Sequence, residues 1–196
     1  AWEPVYGALS GSLVYLNPNT EYDVEVTVTE ESGDIQKYEF DFKTKADKPP
    51  IDEDKIYNLA DIYSGGQLDI EALGIQGSEQ GYAKIVGNGE VIEADSEDIT
   101  AINLGTQSYV VLENLIIKGG KRHGIFSSSA HHIWITNCDI SEYGRIATDY
   151  RNNVGYENAD SESPINYDAG IYLEKTGIVV IEDTQIHSPN GKANHW

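Results

Sequence analysis

The chain is poor in sulfur and in long apolar runs. Among its 196 residues there is one cysteine, Cys138, and no methionine. A single cysteine excludes a disulfide within the chain, and such a thiol usually behaves as a small apolar side chain. No stretch is apolar for long enough to cross a bilayer, and no signal peptide or lipidation motif is recognisable. The sequence therefore argues against membrane insertion.

Basic residues are scarce. Lys and Arg number 13 against 33 Asp and Glu, which gives a formal net charge of −20. Such a field repels nucleic acid and anionic membranes, so neither is expected as a partner. It also repels a polyanionic polysaccharide unless a basic patch or a bound cation offsets it. The carboxylates suit calcium, but no run matches the EF-hand loop or the glycine-aspartate nonapeptide repeat. Calcium is left open, and no other cofactor is predicted.

Phe and Trp are also few, at three each, whereas Tyr occurs 13 times. A tyrosine ring offers a flat apolar face with a hydroxyl group, which suits wet surfaces such as sugar-binding grooves. Tyrosine is equally common in the strands of any β-rich protein. The excess of tyrosine fits both interpretations.

The N-terminal quarter alternates between apolar and polar residues. Between residues 11 and 46, Tyr22, Val24 and Val26 share one face of a predicted strand. A turn signal at 31–34 and a second strand at 37–44 follow. This pattern predicts a β-hairpin.

Two short runs in this segment resemble fibronectin type III domains. Residues 16–22, Leu-Asn-Pro-Asn-Thr-Glu-Tyr, are similar to the run before the penultimate strand of that family, and 42–45, Phe-Lys-Thr-Lys, to the end of its last strand. The resemblance implies that Tyr22 forms a tyrosine corner with nearby backbone. Because it covers about half of such a domain, residues 1–46 are expected to be its C-terminal part. Residues 47–54, which begin Asp-Lys-Pro-Pro, are predicted to be a stiff linker.

The rest of the chain contains a repeat. Three triplets align: 101–103 (Ala-Ile-Asn), 124–126 (Gly-Ile-Phe) and 170–172 (Gly-Ile-Tyr). At fixed distances after them stand three columns, namely Leu112, Ile135 and Ile181, then Asn114, Asn137 and Asp183, then Ile117, Ile140 and Ile186. Each unit holds three short strands, which bury little unless neighbouring units stack. The asparagine column falls where a tight turn needs left-handed backbone.

These columns predict an all-β protein in which residues 55–196 begin a right-handed parallel β-helix. Residues 85–92, Ile-Val-Gly-Asn-Gly-Glu-Val-Ile, are similar to the opening coil of many such helices. The second and third triplets are twice as far apart as the first two. The additional residues, at 141–169, are predicted to form a long lateral loop, with one degenerate coil as the alternative. Long loops of this kind are often functional.

Candidate site residues lie on one outward column and on the turn beside it. Phe126 and Tyr172 are either a sugar platform or rings buried under the 141–169 loop. The turn at 118–124 concentrates Lys121, Arg122 and His123, and polysaccharide lyases of pectin-lyase-like β-helix fold use such groups as base or to offset the substrate's uronate charge. A solvated turn is the alternative. Further candidates in the loop are Arg145 and Tyr167, as substrate contacts.

Glycoside hydrolysis would instead require a pair of carboxylates. The candidates are Asp149, Asp168 and Glu174, each of which also fits an ordinary surface charge. The motifs typical of polygalacturonases are absent from the sequence.

The combined pattern resembles modular secreted carbohydrate-active enzymes of bacteria. It predicts an extracellular or cell-surface protein that cleaves a polysaccharide, as lyase or hydrolase, in a lateral groove. The alternative is a non-catalytic adhesin, fibre or surface-layer component, or glycan-binding stalk. The remainder of the same polypeptide, or further chains, is expected to complete both domains, because an open coil end leaves strand edges unpaired.

Overall fold

The computed structural model describes residues 11–191 and the backbone of two short strands before them. These strands, Trp2–Glu3 (β1) and Ala8–Leu9 (β2), pair antiparallel. The chain folds as two compact units, residues 1–49 and residues 50–196.

The first unit contains the predicted hairpin. Strands Glu21–Thr29 (β3) and Ile35–Lys43 (β4) pair antiparallel along their full length. The Tyr22 ring stacks on Phe42, and its hydroxyl accepts a hydrogen bond of 2.7 Å from the backbone N–H of Asn17. Since apolar and polar residues alternate, one hairpin face is apolar; on it Val26, Tyr38 and Phe40 are exposed. The hairpin is confirmed, together with a local tyrosine contact of the kind expected.

The second unit is built from three parallel sheets. Sheet A contains β5, β7, β10, β13 and β18, which are Ile51–Asn58, Tyr82–Val86, Val110–Glu113, His131–Thr136 and Gly177–Glu182. Sheet B contains β8, β11, β14 and β19, which are Val91–Glu93, Ile116–Lys118, Asp139–Ser141 and Gln185–Ile186. Sheet C contains β6, β9, β12 and β17, which are Leu68–Asp69, Thr100–Gly105, His123–Ser128 and Ala169–Glu174.

The chain visits the three sheets in rotation. One full coil runs through β9, β10 and β11, the next through β12, β13 and β14, and the third through β17, β18 and β19. Ahead of them, two short helices, Leu59–Ile62 (α1) and Ile70–Leu73 (α2), flank β6. Strand β5 begins at Ile51 and pairs with β7, so residues 51–54 of the predicted linker belong to this strand.

The predicted columns are the observed register. On sheet A, Leu112 pairs with Ile135 and Ile135 with Ile181. On sheet B, Ile140 lies between Ile117 and Ile186. These rows point inward, and in the first two coils they are fully buried. Each such side chain contributes about 1.5–3 kcal/mol by leaving water.

The asparagine column forms the corner between sheets A and B. Asn114, Asn137 and Asp183 have φ values of 56°, 52° and 48°. The Asn137 amide donates to the Asn114 side-chain oxygen at 2.5 Å. The predicted left-handed turns are confirmed. One outward column shifts: a bulge after Phe126 pairs Gly105 with Ser127 rather than with Ser128.

The segment between β14 and β17 is a lateral excursion, which we call the insert (residues 142–168). All of it is described, and none of it belongs to the three sheets, because β12, β13 and β14 pair directly with β17, β18 and β19. It contains an antiparallel hairpin of Asp149–Arg151 (β15) and Val154–Tyr156 (β16), and a 3-10 turn at Ile165–Tyr167.

Candidate functional site

A cleft of about 750 Å³ lies where the insert meets the turns between sheets B and C. We call it the insert cleft. Its walls are the turn at 93–97, the turn at 118–121, and insert residues between Glu142 and Glu157, with Asn190 at its margin. Its volume is within the range of ordinary ligand sites.

Two glycines allow the turns to stack closely. Gly119 and Gly120 have φ values of 87° and 86°, which residues other than glycine rarely adopt. A Cβ at Gly119 would stand 2.4 Å from the Ala94 carbonyl oxygen, and one at Gly120 would stand 2.1 Å from the His123 carbonyl oxygen. The turn at 118–121 is therefore held against the turn one coil earlier, so the two form a continuous wall.

The basic groups of the cleft are paired with carboxylates. The Lys121 ammonium lies 3.1 Å from Glu157, and that of Lys118 lies 3.7 Å from Glu142. Arg145 lies 3.9 Å from Glu157 on its other side. Three more carboxylates line the cleft from the turn at 93–97: Glu93, Asp95 and Glu97. Among the described residues, the lining thus contains five acidic and three basic side chains.

Beneath the cleft, two arginines enclose a buried aspartate; we call Arg122, Arg145 and Asp168 the arginine clamp. The side chains of Asp168 and Arg145 are 0% and 7% exposed. The Asp168 carboxylate accepts from Arg145 Nε at 2.8 Å, Nη2 at 2.7 Å and backbone N at 2.9 Å, and from Arg122 Nε at 3.4 Å. These bonds raise the pKa of Arg145 above its usual value.

The arginine clamp fixes the base of the insert. Arg122 also donates to the Ser163 hydroxyl, and Arg145 to the carbonyls of Ser163 and Pro164. Both ends of the insert are thereby tied to the turn before β12. Asp168 was predicted as a catalytic acid. In the structure both of its oxygens accept from arginine within a buried site, which is the arrangement of a positioning residue.

His123 is buried under the same network. Its ring is 4% exposed and stacks on Tyr172 at 4.5 Å between ring centroids. Its Nδ1 has no hydrogen-bond partner among the described residues. Burial first, and then the charge of Arg122, lower its pKa from 6.5 to about 4. At neutral pH the ring is uncharged, so it does not offset a substrate's charge, which is one of the two roles predicted for it.

The predicted aromatic pair lies on the outward face of sheet C. Phe126 and Tyr172 are neighbours in register, with ring centroids 6.1 Å apart and planes within 11°. Both rings are half-buried, which is intermediate between the two predicted alternatives. With His123 they form a stack of three rings.

The remaining predicted residues are dispersed. Asp149 pairs with Arg151 at 2.7 Å, Glu174 lies 3.9 Å from Lys175, and Tyr167 is 56% exposed. Lys121 and Arg145 line the insert cleft. Among the described residues, its lining does not include Asp149, Glu174 and Tyr167, nor the pair Phe126 and Tyr172.

Several cleft residues were missed. Glu157 contacts both Lys121 and Arg145, yet the insert has no periodicity that would point to it. Glu93 could have been found, because the register of sheet B places it directly beside Lys118. Extending the repeat one coil towards the N-terminus would therefore have added the turn at 93–97 to the predicted site.

Neither a metal centre nor a reactive thiol is found in the described part of the chain. No group there of three or more His, Cys, Asp or Glu could hold a metal ion. Cys138 is buried, and burial raises the pKa of its thiol to about 11. None of the described helices has the length and apolarity needed to cross a membrane.

Comparison with known proteins gives a family but no individual relative. Neither the curated proteins nor the solved structures include a match to this sequence. The model of the right-handed β-helix region matches residues 73–193, which is more than half of the chain and includes all three coils and the insert. This chain belongs to the right-handed β-helix family.

Proposed function

We propose that this protein is a carbohydrate-active β-helix protein that binds a polysaccharide in the insert cleft and cleaves it. The observation that supports this most directly is the cleft itself. It places paired lysines and glutamates on facing elements, and a buried salt bridge fixes its insert wall. A surface loop without a binding role does not require such anchoring.

The cleft has the groups that cleavage of a glycosidic bond needs. Hydrolysis uses two carboxyl groups, one to protonate the leaving oxygen and one to activate water or attack the sugar. Glu142 and Glu157 are the carboxylates of the insert that line the cleft and contact its lysines. We propose these two in place of Asp149, Asp168 and Glu174 as the acid and base.

The N-terminal unit and the location of the protein are also part of this proposal. We propose that residues 1–46 are part of a fibronectin type III-like domain and that the protein works outside the cell or at its surface. The hairpin and the Tyr22 contact with Asn17 support the first point. The resemblance of the two segments together to modular secreted enzymes supports the second.

A further β-helical coil is the partner proposed for the third coil. Ile135 of the second coil is 0% exposed, whereas its register partner Ile181 is 46% exposed. Because the inward row and the parallel strand edge both continue to β18, another coil of the same pattern would cover them. This row is also the observation that favours the alternative function, a non-catalytic fibre or stalk built by stacking.

The test is cleavage by the full chain of a panel of polysaccharides, followed as new reducing ends and as absorbance of unsaturated products. The wild type should release products from at least one glycan. Glu157→Gln should slow release by roughly 100-fold or more, the range for loss of an acid–base group. Glu162→Gln, the same change at an exposed insert residue outside the cleft lining, should not. Inactivity towards every glycan would reject the enzyme and favour the stalk, and an active Glu157→Gln would place catalysis elsewhere.

A further inference from the structure

The charges of the insert cleft indicate which class of glycan it binds. Resting on the proposed function, we infer that the cleft binds an uncharged glycan and cleaves it by hydrolysis, not by elimination from a polyuronate. Of the residues predicted to neutralise a uronate, Lys121 and Arg122 are paired with carboxylates of the protein, and His123 is buried.

The pairing with carboxylates is visible for each basic side chain of the lining. Lys121 is 3.1 Å from Glu157 and Lys118 is 3.7 Å from Glu142. Arg145 donates two side-chain hydrogen bonds to the buried Asp168. A uronate carboxylate would have to compete with these partners for the same donors. Taking Arg145 from Asp168 would leave this buried carboxylate with only its 3.4 Å contact to Arg122, which is unfavourable.

The other acidic residues of the lining make binding of a uronate still less favourable. Glu93, Asp95 and Glu97 face the same cleft. Like charges that lie close together at a protein surface repel one another. A polyuronate has a carboxylate on every sugar, so it meets this repulsion repeatedly along the cleft. An uncharged chain meets none of it and can hydrogen-bond to the same carboxylates through its hydroxyl groups.

The chemistry follows from the substrate. Elimination removes the proton beside a carboxylate, and it needs that carboxylate's charge to be offset. Hydrolysis needs no charge on the substrate. One cleft carboxyl gives its proton to the leaving oxygen, the C–O bond to that oxygen breaks, and the oxygen of water bonds to the anomeric carbon. The second carboxylate takes up the proton that water loses. At the end of the step the first group is therefore a carboxylate and the second a carboxylic acid.

The inference is tested by electrophoresis of the full chain in native gels that contain a polysaccharide. Gels with uncharged xylan, arabinan, galactomannan or β-glucan are compared with gels containing polygalacturonate or alginate, with and without calcium. At least one uncharged glycan should retard the wild type and yield reducing ends without unsaturated product. Glu157→Gln, which frees Lys121 and removes one negative charge, should bind polygalacturonate several-fold more tightly than the wild type. Glu162→Gln should not.

The outcomes separate the inference from the function on which it rests. Retardation by a polyuronate, or unsaturated products from it, would overturn the inference and leave the proposed glycan cleavage standing. Failure to bind or cleave any glycan would overturn both. A Glu157→Gln protein that gains no affinity for polygalacturonate would show that ion pairing in the cleft does not exclude the uronate, which also overturns the inference.

Discussion

The coils and the insert of the β-helix unit are stabilised by different kinds of interaction. In the second coil, Ile125, Ile135 and Ile140 are fully buried, each between like residues of the coils on either side. The insert has few buried apolar residues, Tyr143 and Ile165 among them, and is fixed by the salt bridge of Arg145 with Asp168. The coil therefore shares its stability among many similar contacts, whereas the insert depends on a few polar ones.

This difference assigns separate tasks to the two regions. When one member of a repeated apolar row is lost, the neighbouring coils still hold the strand in its register. A buried ion pair has no such reserve, since removing one partner leaves the other charge without compensation. The coils thus provide a rigid frame, and the arginine clamp determines whether the insert wall of the cleft is in place.

The largest expected effect comes from the arginine clamp. Asp168→Asn should destabilise the unit by about 3–5 kcal/mol, because the buried Arg145 then loses its closely hydrogen-bonded carboxylate and keeps only Glu157 at 3.9 Å. Asp149→Asn is the matched control: the same change in the same insert, at a pair with Arg151 whose side chains are 32% and 41% exposed. An exposed pair contributes only about 0–1 kcal/mol. Urea unfolding gives both values, and limited proteolysis reports whether the insert has detached. Equal effects of the two changes would contradict the role of the clamp.

The same difference explains what the sequence could predict. Leu112, Ile135 and Ile181 recur at a constant phase, so their register and inward direction follow from the pattern, as does the left-handed turn at Asn137. A salt bridge between two residues leaves no periodic pattern in the sequence. Arg145 and Asp168 stand 23 residues apart in a segment without repeats, so each was predicted as a site residue by its chemical type alone.

The cleft shows an intermediate case. Its turn at 118–121 lies within the turn predicted at 118–124, because a basic cluster in an acidic chain is visible in the sequence. Whether those charges are free was not predictable, since that depends on where the insert places Glu142 and Glu157. Burial of His123 likewise depends on Tyr172, which lies on the next coil beyond the insert.

The second expected effect tests the frame itself. Ile135→Ala should cost about 2–5 kcal/mol, the range for a buried aliphatic side chain, since Ile135 is fully buried. Ile181→Ala, in the same row one coil later, should cost less than half of that, because this side chain is already partly in water. Both are measured by urea unfolding at low protein concentration. If the two substitutions cost the same, a further coil covers the third one in solution, and the contrast between the coils disappears.

The smallest expected effect concerns His123, where the frame and the clamp meet. Its pKa is lowered from 6.5 to about 4 by burial and by the charge of Arg122. The unfolded chain therefore binds this proton more readily than the folded protein does, and stability falls as pH falls from about 6.5 towards 4. The full loss is on the order of 3 kcal/mol, since each pKa unit corresponds to about 1.4 kcal/mol.

His123→Phe removes this titration and keeps a ring against Tyr172. Urea unfolding of the variant and the wild type over that pH interval should show the difference in stability shifting in favour of the variant as pH falls. Phe126→Leu disturbs the same stack of rings without removing a titrating group, so its difference from the wild type should stay constant with pH. If the His123→Phe difference is also constant, the ring accepts its proton as readily in the folded protein as in the unfolded chain. Burial and the charge of Arg122 then do not lower its pKa in the folded protein, which would contradict this link between the frame and the clamp.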